Sequence, residues 1–200
     1  MNTKAIGLVI AFTALAAALN LIKIPVVYNP YFNYQLGDII FVIAFLLFGL
    51  KIGFAVVALN MMVSIAIMPS IIGVVGGPYY MVAVATMVLG VYLYEKTIKP
   101  RIRSRQFFLA KAAALSTAIG VVSRTLIMLP LDYFALGFLV SVVSGLSLAE
   151  AYSIVLFYMP SIVLYNIIVP LYVIPTSYFT ANKVNKHMNS PLFADSMLKR

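Results

Sequence analysis

Long apolar runs separated by short polar breaks set the pattern of this chain. Residues 5–22 are apolar except for Thr13 and Asn20, long enough to cross about 30 Å of hydrocarbon at about 1.5 Å per residue. Residues 36–50 and 52–68 follow as a pair, joined by a turn carrying Gly49, Lys51 and Gly53. So short a turn predicts antiparallel helices with the lysine reaching water. Further helices are predicted over 79–94, 107–129 and 151–178, the last interrupted by Pro160 and Pro170 and Pro175. Pro130 is expected to kink any continuation of the fifth helix. Residues 135–148 are only fourteen apolar and small residues, short for a crossing. Counted as a seventh, they would separate the basic tail from the basic stretch after residue 94. The expectation is therefore an all-α polytopic membrane protein: six transmembrane helices in a compact bundle, one membrane domain over 1–200.

The breaks differ in character. Residues 23–35 hold Pro25 and Pro30 with Tyr28, Tyr31, Phe32 and Tyr34, too polar and proline-broken to span, and read as an interfacial loop. One role for such a loop is an aromatic anchor at headgroup depth. Residues 69–78 contain Gly73, Gly76 and Gly77 and read as a flexible turn or partly re-entrant segment. They match no phosphate-binding loop, since no G-K-[ST] follows. Residues 95–105 carry five cations and one acid, predicting a basic cytoplasmic loop over 95–106 and, with the tail at 183–200, both termini in the cytoplasm. On that topology twelve of the fourteen cations lie inside, leaving Lys23 and Arg124.

Composition sharpens this picture. The 200 residues are 64% hydrophobic and 10% charged, with a mean hydropathy of +1.05, outside the range of soluble domains. The net charge of +9 follows the loops and makes no stripe for nucleic acid. Without cysteine, and with His187 as the one histidine, thiolate chemistry and a histidine metal cluster are excluded. There is no Walker motif, no chain of buried acids beyond Asp38 and Asp132, and no serine, histidine or cysteine constellation for hydrolysis. The chain is not expected to be an enzyme, to bind a metal or to hold a resident cofactor.

The chemistry that remains is polar groups at membrane depth. An arginine there costs about 2.5–3.5 kcal/mol on insertion scales, so Arg124 requires a partner or a ligand. Asp132 lies eight residues on, roughly 12 Å along a continuous helix, too far for a direct pair without a bend; Asp38 is the alternative. Asn20, Asn33, Asn60 and Asn166 lie on different elements. An amide offers both donors and acceptors, suited to a ring edge that alternates C=O and N–H. With the aromatics of 28–34 they suggest a pocket for a flat, polar-edged ring, although each asparagine alone also serves as interhelical glue. Gly7, Ala11, Ala14 and Ala18 recur three or four apart, giving the first helix a strip of small side chains.

Y-x-L-G-D-I-I at 34–40, F-G-L-K-I-G at 48–53, Asn60, Gly76 with Gly77, R-T-L-I-M-L-P-L-D-Y at 124–133 and P-x-x-x-L-Y-N-I-I at 160–168 together resemble the riboflavin-type S component, the substrate-binding subunit, of energy-coupling-factor (ECF) vitamin transporters. The resemblance implies a cell-membrane subunit that captures riboflavin from outside under a lid made by the first loop. It also implies partners, a coupling membrane protein and two ABC ATPases, with Ala14 and Ala18 on the docking face. Tyr31, Phe32, Tyr34 and Asp38 are expected at lid and rim, Asn60, Arg124, Asp132 and Asn166 as polar contacts inside, and Asn33 as a further substrate-binding residue. The chain departs from the family pattern at Asp132, where riboflavin-type members tend to have asparagine, and at Val169, where a lysine is frequent. A related flat vitamin therefore remains open, as do a small intramembrane enzyme using Asp38 and Asp132, a stand-alone facilitator, and a structural assembly subunit.

Overall fold

The computed structural model describes residues 3–67, 71–99 and 108–187. The chain folds as α1 (Thr3–Asn20), a ribbon of β1 (Ile24–Pro25) and β2 (Asn33–Tyr34), then α2 (Gly37–Phe48), α3 (Leu50–Ile67), α4 (Ile71–Leu93), α5 (Phe108–Leu131), α6 (Gly137–Ser144) and α7 (Leu148–His187). Two π-helical turns, Tyr94–Ile98 and Asp132–Leu136, extend α4 and join α5 to α6. The fold is all-α apart from the two-residue strands. Five helical stretches are long and apolar enough to cross a membrane.

The sixth apolar helix, α2, has twelve residues and is about 18 Å long. Ten of those twelve are buried, as expected of a helix that is apolar on every side and sits at a bundle's centre. Phe41, Val42, Ala44, Phe45 and Leu46 are fully enclosed, with α1, α3 and α7 packed around them. Gly49 ends α2 with φ 85°, a left-handed cap that glycine adopts without strain, and α3 begins at the next residue. At Gly90 the backbones of α4 and α5 come so close that a Cβ would lie 2.6 Å from Gly120 Cα, the small-residue contact by which membrane helices pack without a hydrophobic drive.

Several expectations change. Residues 71–78 are helical, so the glycines at 73, 76 and 77 and Pro78 lie inside α4 rather than in a turn; Pro69 lies outside the described residues. At membrane depth the backbone has no water to bond, and that requirement outweighs the poor helix propensity of glycine and proline. Pro130 does not end the fifth helix. The chain continues as one 36-residue apolar stretch, Leu109–Ser144, so most of 135–148 extends α5. Gly145, at φ 68°, caps it. A capping box then starts α7: Ser147 N and Oγ both donate to Glu150 Oε2, at 3.0 and 2.7 Å. In the basic segment Glu95 and Lys99 are buried and paired at 2.5 Å, and Tyr178 donates to Glu95 at 2.7 Å. A solvated loop over 95–106 is thus incorrect at its start, and 100–107 lies outside the described residues. Of the expected tail, 183–187 is the end of α7 and 188–200 lies outside them. The strip at Gly7, Ala11, Ala14 and Ala18 is exposed, so it does not pack against the other described residues.

Candidate functional site

Between the ribbon and the bundle lies a cavity of about 710 Å³, within the usual range for a small-molecule site. The ribbon supplies Tyr31, Phe32 and Asn33, α1 supplies Asn20, α4 supplies Tyr79 and Tyr80, and α5 supplies Arg124. Apolar side chains of α6 and α7, among them Leu139, Val143 and Ile162, complete the wall.

The ribbon is held by its register and by α7. Ile24 pairs with Tyr34 and Pro25 with Asn33. Tyr165 donates to Asn33 O at 3.0 Å, Tyr172 to Gln35 O at 3.4 Å, and Asn29 to Ser161 Oγ at 2.8 Å. The rings follow the same face of α7: Tyr31 meets Tyr158 edge-on at 5.3 Å, Phe32 lies 4.8 Å from Tyr165, and Tyr34 stacks on Tyr165 at 5.7 Å. Tyrosines at 158, 165 and 172 are seven apart, and that spacing keeps them on one side of a helix.

Behind the cavity floor is a polar cluster that ties four helices together. Arg124 Nε donates to Asn166 Oδ1 at 3.2 Å, and Asn166 Nδ2 donates to Asp132 Oδ2 at 2.6 Å. Tyr79 donates to Asp132 Oδ1 at 2.5 Å, and Tyr80 donates to Asp38 Oδ1. Arg124 Nη1 is closed to solvent, stands 4.0 Å from Asp38 Oδ2 and has no hydrogen-bond acceptor among the described residues; the guanidinium lies over the Tyr165 ring, 5.8 Å from its centre. The π-turn at Asp132–Leu136 begins at Asp132. Such a turn shifts the side-chain register of a helix, and Asp132 is fully enclosed where it meets its two donors.

Of the expected site residues, Tyr31, Phe32, Asn33 and Arg124 line the cavity. Asp38 is not at the rim: it is 1% exposed in the first turn of α2. Tyr34 faces the α7 tyrosines and bonds Tyr28 at 2.9 Å between hydroxyls. Asp132 and Asn166 do not line the cavity but connect to it through Tyr79 and Arg124. Both candidates for the partner of Arg124 are present, Asp38 beside it and Asp132 one amide away. Asn60 is buried in α3 and does not itself line the cavity, although Ser64 one turn on does, and among the described residues neither atom of its amide has a hydrogen-bond partner. Asn20 lines the cavity while accepting from Gly37 N at 3.0 Å. The residues that sequence reading missed are Tyr79, Tyr80 and Tyr165; the seven-residue spacing on α7 was the available signal for Tyr165.

The site has an aromatic roof, the Arg124 guanidinium in its wall, and behind that wall two carboxylates that already accept from tyrosine and amide donors. No protein-family model matches the sequence, and the search of curated proteins found no match.

Proposed function

We propose that this chain is the substrate-binding membrane subunit of an ECF-type vitamin importer, taking up riboflavin or a related flat vitamin from the outer side. The observation that carries the reading is the 710 Å³ cavity roofed by Tyr31 and Phe32 and floored by Arg124. An aromatic roof stacks on a planar ring, and a guanidinium donates to a carbonyl at the ring edge. Burial of a tricyclic ring with several hydrogen bonds fits nanomolar affinity, about −12 kcal/mol.

The rest of the chain fits delivery to partners. With α2 counted as a sixth crossing, both termini face the cytoplasm of the cell membrane, the side that the cations favour. Ala14 and Ala18 are exposed on α1, open to a close-packing coupling subunit. That subunit and two ABC ATPases would supply the energy. Titration of the detergent-extracted protein with riboflavin, followed by quenching of flavin fluorescence, tests the proposal. Submicromolar binding is expected, and no binding at micromolar riboflavin removes the substrate assignment.

A further inference from the structure

The cluster under the cavity holds two carboxyl groups, Asp38 and Asp132, and one guanidinium, Arg124. All three are at most 2% exposed. Of the two cations lining the cavity, Lys23 is exposed at the start of the ribbon and Arg124 is buried. A buried guanidinium in the wall of a hollow would ordinarily mark a site for an anion. Here the charge count opposes it. Asp38 Oδ2 lies 4.0 Å from Nη1, and Asn166 links Nε to Asp132. Whether the two carboxyls bear two charges or share one proton, no positive charge is left over.

Resting on the binding reading above, we infer that the cavity selects an uncharged acceptor, such as a ring carbonyl, over an anion, and that Asp132 is the positioning residue that sets this preference through Asn166 and Arg124. A carbonyl accepts from the part of the Arg124 side chain that lines the cavity and adds no charge. A carboxylate or phosphate would meet a desolvated cluster that is already neutral or negative, and the other cation of the lining, Lys23, is exposed to solvent and screened. Both oxygens of Asp132 are occupied, by Tyr79 and Asn166. Asp132 therefore acts on a ligand by charge rather than by contact. At an effective dielectric constant of about 20, one charge at roughly 8–10 Å changes affinity by about tenfold or more.

The test is titration of the full detergent-extracted chain with riboflavin, riboflavin 5′-phosphate and an isosteric pair, N3-carbamoylmethyl and N3-carboxymethyl riboflavin. The wild type should bind the carboxamide at least about tenfold more tightly than the carboxylate. Asp132→Asn, nearly equal in shape, should narrow that ratio by about tenfold while riboflavin affinity changes less; Asp38→Asn should narrow it as well. Equal binding of the isosteres by the wild type overturns the inference, as does a ratio unmoved in variants that still bind riboflavin. If no flavin binds, the riboflavin assignment fails instead. Mass spectrometry of the molecules that co-purify then decides selectivity: a neutral or cationic ligand supports it and an anionic one overturns it.

Discussion

Asn166 is the side chain whose removal should do most damage for its size. It accepts from Arg124 at 3.2 Å and donates to Asp132 at 2.6 Å, so Asn166→Leu deletes two charge-assisted bonds and leaves little void. Interhelical hydrogen bonds in membranes average about 0.6 kcal/mol and reach about 1.7, which brackets the loss between about 1.2 and 3.4 kcal/mol. Both partners are charged and buried, and so the upper half applies, about 2–3 kcal/mol. Asn166→Asp should be worse than Asn166→Leu. It keeps the acceptor for Arg124 but sets a second carboxyl against Asp132, a repulsion on the order of 4 kcal/mol at 4 Å and an effective dielectric constant of 20. Steric-trap unfolding in bicelles reads both values without depending on a ligand. A loss below about 0.5 kcal/mol for Asn166→Leu, or an Asn166→Asp variant more stable than Asn166→Leu, would refute the view that this amide holds the cluster together.

Three further outcomes are expected. Tyr165→Phe removes the bond to Asn33 O, worth about 1 kcal/mol, and should speed ligand release about fivefold; Tyr165→Ala also removes the ring contacts to Phe32 and Tyr34, at about 0.5–1.5 kcal/mol each. Stopped-flow flavin release should therefore rank alanine well above phenylalanine, and equal rates would show that the ribbon is not held there. Asn60→Leu eliminates two unmatched polar atoms and should raise stability by at least about 1 kcal/mol; a lower melting temperature in detergent would mean that the amide has a partner. Gly90→Ala should cost about 1–3 kcal/mol because its Cβ meets the Gly120 backbone. Gly120→Ala, which meets the movable end of Ile174, should cost less, and the reverse order in thermal melts would contradict the crossing.

Hydropathy alone placed six of the helices, because lipid-length apolar runs leave the backbone no other way to bond itself. It failed where glycine and proline act differently in a membrane. Gly73, Gly76 and Gly77 were read by their propensity in water, and residues 135–148 were read as a separate segment although a continuous apolar helical stretch runs from α5 through the π-turn and α6. That Arg124 needs Asp38 or Asp132 was legible from the cost of burying charge, while the amide of Asn166 that links Arg124 to Asp132 was not. Which of these groups meets the cavity was not, because that depends on helix rotation and on the π-turn at Asp132. Tyr79 and Tyr80 were read only as the start of a helix, since nothing local distinguishes a tyrosine that caps a buried carboxylate from one at an interface.

The brevity of α2 has a volumetric consequence. At about 18 Å it stops some 12 Å short of a full hydrocarbon thickness, while its neighbours carry on. Tyr80 and Arg124, which touch Asp38 in its first turn, form part of the cavity surface above that missing length. The hollow thus adjoins the start of α2 and is roofed by the aromatic ribbon, and one turn of leucines added before Gly37 should fill part of it.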